Sequence, residues 1–199
     1  MNFLAKQTAK NKLSDLKSKA KDSLSKSQPK SKIDWEDFNF PPFIKIYHFS
    51  MDEIEEPERE IVSKLYLGLL GTGVCFLMNF LVVIIGLILI GFWGKAVVFV
   101  VFNFFVWVPL AVFNFYTGVR TVIDSREKLL HFTISQSILI MVYLAAAFTN
   151  FGSFHGLFYI GYFFQAKALF GILCLLEAIL WILLTGISGF ALYKTRDFV

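Results

Sequence analysis

The sequence predicts an all-α membrane protein: four transmembrane helices in a bundle with cytosolic N- and C-termini. Three observations lead there. First, the 199 residues are 56% hydrophobic, 18% aromatic and only 17% charged, whereas soluble domains average about 45–50% apolar and about 25% charged. Second, residues 1–64 hold 12 of the 19 Lys/Arg and 11 of the 15 Asp/Glu, and the remainder breaks into charge-free runs at 65–94, 96–119 and 129–166, with 168–193 interrupted only by Glu177. A helix needs about 20 apolar residues to cross a bilayer, and every run is long enough. Third, 17 of the 19 Lys/Arg fall on one side of the four-span topology, leaving only Lys95 and Lys167 opposite. The basic side faces the cytosol.

The elements follow in order. Residues 1–32 form a basic arm with nine lysines against Asp15 and Asp22, and Ala9, Leu13, Leu16, Ala20 and Leu24 recur at helical spacing. Three readings stay open: an amphipathic helix on an anionic leaflet, a short coiled-coil seam, or a solvated tail. A nucleic-acid role is not expected, because the arm lacks interleaved aromatics and is tethered to a membrane. Residues 33–64 are a juxtamembrane segment of aromatics, prolines and acids. Pro41-Pro42 forbids a helix and predicts an extended, polyproline-like turn. Glu55-Glu56-Pro57-Glu58 then reads as a helix start, with proline tolerated in the first turn and acids matched to the dipole.

The membrane domain covers 65–193, with spans at about 65–91, 96–118, 129–149 and 168–192. The short Phe92–Lys95 turn makes the first two spans a hairpin. The loop between spans 2 and 3 carries Arg120, Arg126 and Lys128, and residues 194–199 form a short cytosolic tail. Run 129–166 is too long for one span and too short for two with a turn. Its second half, Asn150–Gln165, reads as an interfacial loop because Phe151, Phe154, Phe158, Tyr159, Tyr162, Phe163 and Phe164 suit the headgroup level.

Few polar residues lie inside the spans. Glu177 falls near mid-bilayer, about 14 Å along the last span, where a charge costs at least about 2.5–3.5 kcal/mol. Glu177 flanks a face of small residues, Gly171, Cys174, Ala178, Thr185 and Gly189, which turns it into the bundle. Asn79 in span 1 and Asn103 in span 2 are placed to reach similar depths. His131 and His155 read as interfacial residues at opposite faces. No nucleophile with a base, phosphate loop, metal-ligand cluster or cofactor motif is present in the sequence, so no enzyme activity and no cofactor are expected.

The string Asn39-Phe40-Pro41-Pro42-Phe43, followed by Ile46-Tyr47-His48, Glu56-Pro57 and four closely spaced spans, resembles the secretory carrier-associated membrane proteins over about residues 36–193. The resemblance implies a non-enzymatic protein of vesicle-mediated transport and membrane recycling, in exocytosis and endocytosis. It implies residence in the trans-Golgi network, endosomal or recycling vesicles and the plasma membrane. Animal members often carry Asn-Pro-Phe repeats that bind endocytic adaptors; this chain has none. The family's signature between spans 2 and 3 corresponds to Asn114–Ile123, where the aromatic pair Phe115-Tyr116 and Arg120 match in kind. The resemblance therefore implies that Phe115 and Tyr116 insert at the interface, beside Arg120, Arg126 and Lys128, which contact anionic lipids at the cytosolic face. Trafficking-machinery partners and a homo-oligomer are compatible with this reading. The competing classes are a small channel or transporter subunit using Glu177, Asn79 and Asn103, and a structural subunit of a larger membrane complex.

Overall fold

The computed structural model describes residues 33–42, 44–91, 94–124 and 126–199. The basic arm, the motif residue Phe43, Phe92 and Trp93 of the Phe92–Lys95 turn, and Ser125 lie outside the described residues. A boundary after Asp34 divides the chain into two units, and everything below concerns the second, Trp35–Val199.

Five helices build this unit: α1 (Glu58–Ile90), α2 (Lys95–Ile123), α3 (Leu129–Phe148), the short α4 (Ile160–Ala166) and α5 (Ala168–Phe198). Four of them, α1, α2, α3 and α5, are long and apolar enough to cross a membrane. They pack in a ring, α1 against α2 and α5, and α3 against α2 and α5. The α1–α5 pair runs antiparallel: Gly68 faces Ser188, Gly71 faces Leu184 and Gly86 faces Phe170. The start of α1, the 124–128 turn and the end of α5 therefore share one end of the bundle, called here the near end. Gly91, Gly94 and the segment 149–167 share the far end.

Helix lengths explain the ends. At 1.5 Å per residue, α1, α2 and α5 reach about 44–50 Å, well beyond a hydrocarbon core of about 30 Å. The excess of α1 is the Glu58–Lys64 stretch; Glu58 and Glu60 sit in its first turn, where the positive end of the dipole favours acids. The other end of α1 closes on Gly91, in the left-handed region at φ 65°, whose N–H bonds to Gly86 O. Helix α2 runs unbroken through Pro109 to Ile123, five residues past the expected span end at 118. The residues expected as a tail, 194–199, continue α5 to Phe198.

The juxtamembrane segment is not extended. Phe40 and Tyr47 form an isolated antiparallel bridge, and the chain doubles back between them, with Lys45 N–H bonded to Pro41 O at 2.8 Å. The reason is packing. Folding back puts Phe40, Tyr47 and Phe49 on one side, where they meet Tyr66 of α1 and Phe115 of α2. Phe115 is the hub, only 1% exposed, with ring centroids 4.9 Å from Phe49 and 5.8 Å from Tyr66. Burying these rings outweighs the extended preference of a diproline. Phe115→Ala is expected to cost about 3–5 kcal/mol and to speed proteolysis within residues 36–54. Cleavage at the wild-type rate would show that the hub does not hold the segment.

Candidate functional site

The interior holds one strongly polar centre, assembled from four parts of the chain. Glu177 of α5 is 0% exposed. Its Oε1 accepts from Asn79 Nδ2 of α1 at 2.6 Å and from Trp181 Nε1, one turn along α5, at 3.2 Å. Its Oε2 lies 3.0 Å from His155 Nδ1. Asn79 Nδ2 also donates to the Ser153 carbonyl at 2.7 Å. The Ser153 hydroxyl donates to Asn79 Oδ1 and accepts from Asn103 Nδ2 of α2, both at 3.2 Å. Trp107 Nε1 closes the chain on Asn103 Oδ1 at 3.3 Å. Every buried polar atom of Glu177 and Asn79 thus has a partner, as an apolar surrounding demands.

The sequence placed Glu177, Asn79 and Asn103 at similar depth, and the fold brings them into one network. Ser153, His155, Trp107 and Trp181 were missed. Trp181 was findable: it is a donor one helical turn from a buried acid. Ser153 and His155 were not, because they belong to the segment read as interfacial. Instead, residues 149–156 bend back into the bundle: Ser153, Phe154, His155 and Gly156 are buried, and Phe163 of α4 is 0% exposed. Three rings, Phe163, Phe170 and His155, pack edge to face within 5.6 Å of one another. The interfacial reading fails for Phe154, Phe163 and His155. It agrees with the exposure of Phe151, Phe158 and Tyr162. Two local features allow the re-entry. The Gly156 N–H bonds to Thr149 O at 2.8 Å, closing the loop, and Gly171 lets α5 lie against the backbone of Phe164.

A second polar layer lies nearer the other end. Asn114 Nδ2 donates to Gln136 Oε1, Ser135 Oγ donates to Asn114 Oδ1 at 2.7 Å, and Gln136 Nε2 donates to Ser188 O at 2.9 Å. Thr72 and Tyr143 share a hydroxyl bond of 2.7 Å beside a cavity of about 10 Å³, roughly one water in size. These layers tie α1, α2, α3 and α5 together where apolar packing alone does not distinguish one rotation from another.

The residues expected to touch lipid at the near end divide. Phe115 is in the aromatic hub, which removes it from any bilayer contact. Arg120 pairs through Nε with Asp124 Oδ2 at 3.0 Å and lies 4.4 Å from the centre of the Trp35 ring, so its charge is engaged inside the protein. Tyr116 is half-buried under Tyr47, Trp35 and Lys128. Arg126 is exposed and Lys128 half-buried. Of the motif residues, Asn39 pins the returning strand, because its Oδ1 accepts from Phe49 N–H at 2.8 Å. Phe40 packs in the hub, and Pro41 begins the reversal.

His48 adds a titratable clamp. Its Nδ1 lies 2.8 Å from the Asp37 carbonyl and its Nε2 lies 2.9 Å from Glu53 Oε2, so both ring nitrogens face acceptors. Burial is the largest single influence and lowers its pKa, but the Asp37 carbonyl bond and then the Glu53 carboxylate outweigh it, leaving the pKa above the usual 6.5. The folded state therefore favours the proton. The stabilisation is full below pH 6.5 and is lost as pH rises through the higher folded pKa. Trp35, whose ring is 6.3 Å from His48, should report this: its emission, isolated by subtracting a Trp35→Phe variant, is expected to titrate in the wild type and to stay flat in His48→Gln. Identical titrations in both would remove His48 as the cause.

Comparison with known proteins found one family. The model described as the SCAMP family matches residues 37–199. Comparison with curated proteins and with solved structures found no match.

Proposed function

We propose, from the premise that this chain belongs to the SCAMP family, that it serves post-Golgi and endosomal carriers in exocytosis, endocytosis and membrane recycling. Membership makes it an integral, multi-pass membrane trafficking protein of a non-enzymatic family. The finer reading is that it works by organising bilayer and recruiting trafficking factors in the trans-Golgi network, recycling vesicles and plasma membrane. The observation that carries it is the match itself, which begins at Asp37 and so includes the folded Asn39–His48 segment together with all four spans. In this reading the near end faces the cytosol. The arm of residues 1–32, with Arg126 and Lys128, attracts anionic lipid there, each lysine near the surface contributing about 1 kcal/mol. The channel alternative loses support because Glu177 and Asn79 bond to each other, and Asn103 bonds to Ser153 and Trp107.

The test is the location of the tagged full chain beside trans-Golgi and endosomal markers, with protease protection on sealed vesicles. Coincidence with either marker and digestion of both termini from the outside are expected. Retention in the endoplasmic reticulum of a folded protein, or termini on different sides, would overturn the reading.

A further inference from the structure

A groove of about 350 Å³ opens at the near end between the start of α1 and the end of α5, lined by Pro57, Glu60, Ile61 and Lys64 on one side and Phe190, Lys194, Asp197 and Phe198 on the other. Its residues are layered by depth. Lys64 is 26 residues from the far end of α1 at Ile90, and Lys194 is 26 residues from the far end of α5 at Ala168. At 1.5 Å per residue both lie about 39 Å from the far end, beyond a 30 Å hydrocarbon core and inside the roughly 40–45 Å that a bilayer spans with its headgroups. Phe190, four residues deeper on α5, lies at about 33 Å, near the boundary with the acyl chains. Glu60 and Asp197 lie at about 44–45 Å, at the outer edge of the headgroups. Neither lysine is joined to an acid by an ion pair among the described residues, and Lys194 Nζ lies 5.8 Å from the centre of the Phe190 ring.

We propose that this groove binds one phospholipid with an ethanolamine headgroup. The order of groups along such a lipid is acyl chain, phosphate, primary ammonium, and the order of the wall is Phe190, then Lys64 and Lys194, then Glu60 and Asp197. The two lysines converge on the phosphate from separate helices, the arrangement by which basic clefts between transmembrane helices hold headgroups. The two carboxylates accept from the ammonium. A choline headgroup has the same charge but no N–H to donate, and an anionic headgroup brings further negative charge to Glu60 and Asp197. The site differs from the arm, whose attraction to lipid is by net charge alone.

Native mass spectrometry of the full-length protein released from vesicles of equal phosphatidylethanolamine and phosphatidylcholine tests this. Both lipids are zwitterionic, so the arm does not influence their ratio. The wild type is expected to retain the ethanolamine lipid about fivefold over choline, the worth of roughly one charge-assisted contact at an exposed site. Lys64→Gln with Lys194→Gln should abolish retention, and Lys64→Arg with Lys194→Arg should restore it at equal helicity. Glu60→Ala with Asp197→Ala should keep retention and equalise the two lipids. Equal retention by the wild type, an unchanged ratio in the acid variant, or displacement of the ethanolamine lipid by added phosphatidylserine would each overturn the proposal.

Discussion

Glu177→Ala is expected to lower the stability of the bundle by about 3–5 kcal/mol, the cost of removing one partner from a buried polar cluster. The physical cause is what remains. Asn79 Nδ2 and Trp181 Nε1 lose the shared acceptor Oε1, and His155 Nδ1 loses Oε2. Lipid offers no replacement, since nothing in hydrocarbon accepts a hydrogen bond. Glu177→Gln should be much milder, about 1 kcal/mol. Its oxygen still accepts from Asn79 and Trp181, and its amide donates to the Nδ1 of a neutral His155 ring. Thermal unfolding in detergent, followed by the emission of Trp181, measures both variants. A Gln variant as damaged as Ala would mean that the centre needs a negative charge, and that the His155–Glu177 contact is an ion pair; equal stability of all three proteins would mean that the network contributes nothing.

Gly156→Ala is the second large effect. A Cβ at this position would clash with the Phe148 carbonyl carbon and with Thr149 N. Both are backbone atoms at the end of α3, so no rotamer change relieves the clash. The loop must open, giving up the Gly156 N–H bond to Thr149 O and withdrawing His155 and Ser153 from their partners. The expected cost is about 3 kcal/mol or more, since overpacking is combined with lost buried hydrogen bonds. Hydrogen exchange should locate the change: faster at residues 150–156 and at the far turns of α1 and α5, little altered in the Asn39–Phe49 hairpin. Uniform acceleration through the whole chain would argue for global unfolding, and none at all would argue that the loop is not closed at Gly156.

Glu177 illustrates how far a sequence carries. Its depth followed from counting residues along a helix, and its inward direction from the small residues Gly171, Cys174 and Ala178 on the same side. That Asn79 and Asn103 lie at a similar depth followed from the same counting; that they join Glu177 in one network did not. His155 could not be found this way. Between Thr149 and Gly156 the chain has no periodicity, and an aromatic-rich stretch satisfies the interface equally well from outside the bundle or folded into it. The decision rests on long-range bonds, Asn79 to Ser153 and His155 to Glu177, that no local pattern encodes. Phe115 failed for a related reason. An aromatic pair beside a basic residue reads as an interfacial anchor, and only the returning Phe40–Phe49 segment covers it.

By itself, the sequence determined the four membrane-crossing helices and the segregation of basic residues to one face of the topology. Those properties follow from hydrophobic run length and charge position, which act residue by residue against a solvent of fixed thickness. The tertiary structure alone decided which polar groups meet, that residues 149–156 re-enter the bundle, and that the Asn39–His48 segment folds into a hairpin on Phe115. These depend on the rotation of helices about their axes and on partners 20 to 100 residues apart. An apolar helix in lipid is nearly indifferent to its own rotation, so the choice falls to a few hydrogen bonds and to the close approaches that glycine permits.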